Sequence, residues 1–350
     1  MTLETPLKSG QAATIHSASI VGLAACVPPR TVGNDHFPEQ FGDDVADVTK
    51  MTGVVTRRWV DETTTTADLC VAAGEKLLAD IDWDPASVDA LIFISQTPDY
   101  RLPATAAVMQ PRLNLRPGII AFDVNLGCSA YPYGLWLAMS MVQTGAARRV
   151  LLAVGDTSSR VVDPTDRATA MLFGDAGTVT AIEYDEEAAA AHFILGTDGR
   201  GSNNLIIPCG GFREQTHEKT SNEQDKLFMD GGEIFTFTLK AVPTLVSETM
   251  QVAGKTADDY DHFLFHQANT FMIQHLAKKA KLPGEKVPIN IDAFGNTSSA
   301  TIPLLMCDKL GDELVSGCVR LGMFGFGVGY SWGGASIDLG KLKSAALITL

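Results

Sequence analysis

The 350-residue sequence is poor in charge, in aromatic rings and above all in basic side chains. Charged residues make up 19% and aromatics 7%, and 27 Lys and Arg stand against 41 Asp and Glu, a net charge of −14. Such a field repels phosphate backbones and anionic lipid, so a nucleic-acid partner would require a dense basic patch, and the sequence has none. Long hydrophobic runs are also missing. The first apolar stretch, residues 20–27, is too short for a membrane span, and MTLETPLKSGQAATIH lacks the basic start of a leader. A cytoplasmic chain without a membrane partner is expected. The six cysteines (Cys26, Cys70, Cys128, Cys209, Cys307, Cys318) show no CxxC spacing, which argues against zinc and against a disulfide framework. No metal and no cofactor are expected.

Apolar residues reach 45%, enough for a real core, and the length suits two domains or one large body of two similar halves. Short apolar or β-branched runs at 90–96, 150–154, 179–182, 263–265, 287–291 and 319–323 read as buried strands. Helical spacing occupies 67–80, 104–113, 130–144, 234–252, 270–281 and 299–310. Alternating strands and helices predict an α/β fold. Residues 1–14 read as a disordered tail, 15–185 as an N-terminal half and 186–350 as a C-terminal half. The polar stretch 199–230 reads either as a lid or active-site wall or as a plain surface excursion.

Four segments carry chemical potential. In DVNLGCSAYPYGLWLA a strand meets a Gly-Cys turn and then an apolar helix, which places Cys128 at a helix N-terminus. The positive end of the helix dipole favours thiolate there, and the same backbone N–H groups suit an oxyanion; the alternative is a buried structural cysteine. In DHFLFHQAN, His266 ends a strand and faces either a cleft or the core. His262 and His266 lie about 13 Å apart along a strand, too far to share one ion. In AFGNTSSA, Asn296 is either a donor into a cavity or a turn and cap residue. MFGFGVGYSWGG has glycines that imitate a dinucleotide loop, but a strand-like segment follows where a helix is needed, so a tight turn offering N–H groups fits better.

These segments, together with MTGVVTRR at 51–58, DPTDR at 163–167, FGDAG at 173–177, HQAN and GNTS, resemble in order and separation the β-ketoacyl-acyl-carrier-protein synthase III family of the thiolase-like superfamily. The resemblance runs from Ile20 to the end of the chain. It implies a five-layer αβαβα sandwich of two similar halves, usually a homodimer, and a Cys128, His266, Asn296 catalytic set. By that resemblance Cys128 accepts an acyl group from an acyl-CoA or acyl-carrier-protein thioester. His266, as a neutral donor, and Asn296 hold the carbonyl of a malonyl thioester while CO2 leaves, and Cys128 and Gly329 supply the oxyanion N–H groups. Leu102, Arg167, Phe173 and Asn269 are implied in substrate binding, and Lys278 and Lys279 in docking the acyl carrier protein.

The chain departs from the family pattern in places. The Trp and Arg that hold the adenine end of CoA correspond to Asp47 and Met51, leaving Arg167 of that clamp, so a starter other than acetyl-CoA is expected. Phe271 stands where an Arg after HQAN is usual, and Leu102 stands in a loop that lines the partner's acyl pocket in the family. The stretch GFGVGYSWG has no second cysteine, unlike biosynthetic thiolases. Alternative readings are acyl transfer from Cys128 to an alcohol, amine or water, a non-decarboxylating or head-to-head condensation with a second acyl thioester, and a non-catalytic partner subunit.

Overall fold

The segment Arg149–Thr157, RVLLAVGDT, is buried along almost its whole length, as a strand is when helices cover both faces of its sheet. It is β7 of a six-stranded sheet in a computed structural model that describes residues 8–37, 41–42, 44–213 and 225–350. The order is β15 (Ser344–Thr349), β2 (Ala18–Val27), β8 (Asp175–Tyr184), β7, β5 (Ala90–Ile94), β6 (Ile120–Val124). A second sheet of five strands runs β1 (Gln11–Ile15), β9 (Ala191–Thr197), β14 (Ser331–Leu339), β13 (Val319–Gly327), β12 (His262–Phe265). Two small antiparallel pairs, β3 (Thr31–Gly33) with β4 (Thr56–Arg58) and β10 (Leu205–Ile206) with β11 (Phe228–Met229), lie outside these sheets.

Two helices, Ala130–Gln143 and Thr301–Lys309, lie between the sheets. The first is apolar nearly all round, AYPYGLWLAMSMVQ, and touches strands of both sheets. Helices Thr66–Asp80 and Thr105–Arg112 cover the outer face of the first sheet, and Gly231–Ala253 covers that of the second, with Thr270–Lys279 packed beside it. The result is the expected five-layer αβαβα sandwich. Its central core includes Leu135, Met139, Leu152, Phe193, Leu305 and Met323, all about 1% exposed or less. Among the described residues no helix is long and apolar enough to cross a membrane.

The halves repeat one pairing pattern. From β2 through β8 and β7 to β5 the pairs are antiparallel, antiparallel, parallel, and from β9 through β14 and β13 to β12 they are the same. The termini cross over: β15 pairs with β2 in the first sheet, and β1 with β9 in the second. The expected tail is therefore shorter than 1–14, because Gln11–Ile15 buys its hydrogen bonds from β9; residues 1–7 lie outside the described part. The strand expected at 287–291 does not form. Pro288 has no N–H for a ladder, and the segment instead runs into a short helix, Ile291–Phe294, with Ile291 buried. Of the polar stretch 199–230, residues 214–224 lie outside the described part; the rest contains a 3-10 helix (Gly199–Asn204) and the β10–β11 pair.

Candidate active site

The repeated halves bring equivalent turns together. Cys128 sits in the turn before one central helix, closed by the Ala130 N–H on the Gly127 carbonyl at 2.8 Å. Asn296 and Ser298 sit in the turn before the other central helix, and His266 directly follows β12. The Asn296 turn is clamped to the FGDAG segment: the Asn296 N–H donates to the Leu172 carbonyl at 2.9 Å, and the Gly174 N–H donates to the Asn296 carbonyl at 3.1 Å. Glycine permits close approach at the nucleophile. A Cβ on Gly327, at the end of β13, would lie 2.7 Å from Cys128 Cβ and 2.9 Å from Sγ.

Ser298 joins the three expected catalytic residues. Its backbone is left-handed, with φ 52°. Its hydroxyl lies beside the Cys128 sulfur and the Asp156 carboxylate, its N–H donates to Asn296 Oδ1 at 2.9 Å, and its carbonyl lies beside the His266 ring. Asn296 thus spends its oxygen in the turn, and its amide NH2 has no partner among the described residues. The turn reading of Asn296 is met by its oxygen, and its NH2 is left over as a donor.

His266 is 2% exposed, and burial pushes its pKa down to about 3, so the ring is neutral at physiological pH. Its Nδ1 lies 2.8 Å from Thr301 Oγ1, and that hydroxyl also lies 3.0 Å from the Ser298 carbonyl. One proton serves two acceptors. Directed at the carbonyl, it leaves Thr301 Oγ1 to accept from Nδ1–H, and Nε2 keeps its lone pair; directed at Nδ1, it puts the ring proton on Nε2.

The expectation of a lowered Cys128 pKa is reversed. Burial first, then the Asp156 carboxylate, push the thiol up to about 11, against donors from the Val328 N–H and the Ser298 hydroxyl. The helix end is real, but desolvation and a like charge outweigh it. Asp156 is a residue the motifs missed. It lies 1% exposed at the end of β7, and burial raises its pKa. Its Oδ1 accepts from Ser95 Oγ at 3.0 Å and Gln96 N–H at 2.7 Å; its Oδ2 accepts from Ser299 Oγ at 2.6 Å. It therefore ties the loop after β5 to the Asn296 turn. The only local signal was an ionisable residue just past the apolar run 150–154.

The sulfur opens on a cavity of about 600 Å3. Cys128, Gly329, Phe173, Ser298 and Asp156 line it, as do Leu205, Ile206 and Cys209 from the polar stretch, which accordingly acts as a wall of the site. The other expected residues lie apart from it. Leu102 is 80% exposed, and Arg167, itself exposed, opens a short helix, Arg167–Ala170. Asn269 Oδ1 accepts from the Met272 N–H at 2.7 Å, capping helix Thr270–Lys279. Lys279 donates to the Leu239 carbonyl at 2.7 Å, and Lys278 is exposed on the same turn. His262 pairs with Glu313 at 2.8 Å, well away from any ligand role with His266.

Residues 122–199 match the family described as 3-oxoacyl-[acyl-carrier-protein (ACP)] synthase III, and residues 250–339 match its C-terminal part. The chain is 32% identical over 327 residues to a β-ketoacyl-[acyl-carrier-protein] synthase III of Caldanaerobacter subterraneus, covering 93% of this chain and 98% of the relative. A crystal structure of a 3-oxoacyl-(acyl-carrier protein) synthase from Burkholderia xenovorans LB400 superposes with a TM-score of 0.94 at 55% identity, over 98% of this chain and 100% of that one. The priming β-ketosynthase of the R1128 polyketide biosynthetic pathway superposes with a TM-score of 0.84 at 26% identity, over 97% and 99%. A thiolase-like sandwich, with Cys, His and Asn turns converging at its centre and relatives of this similarity along nearly its full length, places the chain in the β-ketoacyl-[acyl-carrier-protein] synthase III family of acyltransferases.

Proposed function

We propose that the protein loads an acyl group onto Cys128 and condenses it, with loss of CO2, with a malonyl thioester carried by acyl carrier protein. The observation that carries this reading is the Ser298 hub, which links the nucleophile to His266 and Asn296. Cys128 attacks the donor thioester, a new C–S bond forms, the donor C–S bond breaks, and the thiol proton leaves with the donor thiol. The thiol holds its proton at neutral pH, and His266, with a pKa of about 3, is too weak a base to remove it beforehand, so the proton passes to the donor sulfur as the donor C–S bond breaks. In the second step CO2 departs from the malonyl group. Negative charge grows on its thioester oxygen, and the Asn296 amide and the His266 tautomer with its proton on Nε2 donate to it. The carbanion attacks the acyl-cysteine carbonyl, the N–H groups of Cys128 and Gly329 take the oxyanion, and its collapse breaks the C–S bond to give a β-ketoacyl thioester and a Cys128 thiolate that takes a proton from water.

The starter in this proposal is not acetyl-CoA. Asp47 and the 65%-exposed Met51 offer a carboxylate and a thioether where an adenine clamp would need a ring and a cation. Phe271 is exposed at the start of helix Thr270–Lys279 and stacks on Phe235, and Lys278 and Lys279 close that helix. That surface suits a carrier protein better than a nucleotide, and a priming role like that named for the R1128 ketosynthase fits it. The working form is a homodimer, supported by the edge strand β6 and by exposed Tyr100 and Leu102 in the loop after β5.

Separating the half-reactions tests the proposal. Asn296→Ala is expected to keep acylation of Cys128 while losing decarboxylation of malonyl carrier protein by about 100-fold. An acyl-enzyme that discharges to an alcohol or amine at full rate in that variant, with malonyl donors inert in the native protein, would move the assignment to simple acyl transfer.

A further inference from the structure

The cavity at Cys128 is lined in part by Val161, Phe173, Leu205 and Leu227, which suit a hydrocarbon chain. Pro98, Ile206, Ile207 and Val328 extend that apolar wall, and most of the polar groups of the lining are engaged. The Asp156 oxygens are saturated by Ser95, Gln96 N–H, Thr97 and Ser299. Gln96 and Asn125 differ. They follow the paired strand ends Ile94 and Val124 of β5 and β6, and both side chains are exposed in the single chain. Gln96 Nε2 donates to Asn125 Oδ1 at 3.3 Å, and neither amide makes another side-chain hydrogen bond among the described residues. Gln96 Oε1 remains an acceptor and Asn125 Nδ2 a donor. The glutamine also lies against the nucleophile's own turn. A Cβ on Gly127 would sit 2.3 Å from Gln96 Oε1, so the residue beside Cys128 lacks a side chain where the amide lies.

We propose that the acyl group loaded on Cys128 carries a hydroxyl within a few atoms of its thioester carbonyl, and that Gln96 and Asn125 read it. This rests on the acyl-enzyme reading above. A saturated chain laid against the two amides strips water from an acceptor and a donor and returns no hydrogen bond. A hydroxyl answers both: its O–H donates to Gln96 Oε1, and its oxygen accepts from Asn125 Nδ2. The apolar part of the lining takes the remaining carbons.

The test is competition. The native protein is incubated with equal amounts of butyryl thioester and of its 2-, 3- or 4-hydroxy analogue on the same carrier, and the adducts are read by intact mass. At least one hydroxylated adduct is expected to exceed the butyryl adduct by about tenfold, the size of discrimination a modest polar contact gives. Gln96→Leu and Asn125→Ala are expected to bring the ratio to about unity, with the thermal midpoint and the alkylation of Cys128 reporting that each variant is folded. No preference for any hydroxylated analogue, or a preference that survives both substitutions, overturns the inference and leaves the acyl-enzyme intact. A native protein that iodoacetamide alkylates at Cys128 but no thioester acylates overturns the underlying function, and the inference with it.

Discussion

Cys128 keeps its proton at neutral pH because burial and the Asp156 carboxylate outweigh the donors around its sulfur. With a pKa of about 11, alkylation by iodoacetamide is expected to climb about tenfold per pH unit from pH 7 to about 10. A plateau below pH 8 would contradict this. Asp156→Asn removes the nearby charge and is expected to move that profile to lower pH. The same substitution puts an amide NH2 where Ser95 or Ser299 needs an acceptor, so condensation is expected to fall by about tenfold or more while the thiol becomes more reactive. Thr301→Val keeps the shape and removes the hydroxyl that selects the His266 tautomer. It is expected to lower kcat by about tenfold with little change in KM for the malonyl donor, and Thr301→Ser is expected to restore it.

At the scale of elements, the site is made by loop ends that the two repeated halves bring to one place. Gly327 ends β13 against the Cys128 turn. Gly327→Ala is expected to cost about 1–3 kcal/mol of stability by overpacking, read as a lower thermal midpoint together with slower acylation. The placement of Cys128, His266 and Asn296 at turns was legible in the sequence because each sits in a short break between apolar runs, where strand and helix meet. Asp156 was not, because GDTSS reads locally as a strand end and its partners Gln96 and Ser299 are far along the chain. The Cys128 pKa was misjudged for the same reason: a helix end is visible in sequence, whereas burial and a carboxylate from another strand are not. The failed strand at 287–291 is different, since Pro288 was visible and its missing N–H decided the outcome.

For the whole molecule, the halves have separate sheets but exchange their termini, so β1 and β15 bind each half to the other. Buried groups give its stability a pH dependence. Burial raises the Asp175 carboxyl to about 6 from 3.8, so the folded state holds a proton that the unfolded chain has released between those values. Its contribution is present below about pH 4 and is lost as pH rises through 6. His266 acts oppositely, because its folded pKa of about 3 lies below the ordinary 6.5, and stability falls as pH drops from 6.5 towards 3. Asp175→Asn is therefore expected to steepen the rise of the urea midpoint between pH 4 and 6; an unchanged slope would contradict the assignment. Proline in the edge strand β6, at Phe122, is expected to break the proposed dimer, read by light scattering. The central claim is tested most directly by intact-protein mass spectrometry of native protein and Cys128→Ala with acyl thioesters, followed by malonyl carrier protein. The account predicts a mass increase that requires Cys128 and disappears with release of CO2 and a β-ketoacyl product. An increase that persists in Cys128→Ala, or that malonyl carrier protein leaves in place, would contradict it.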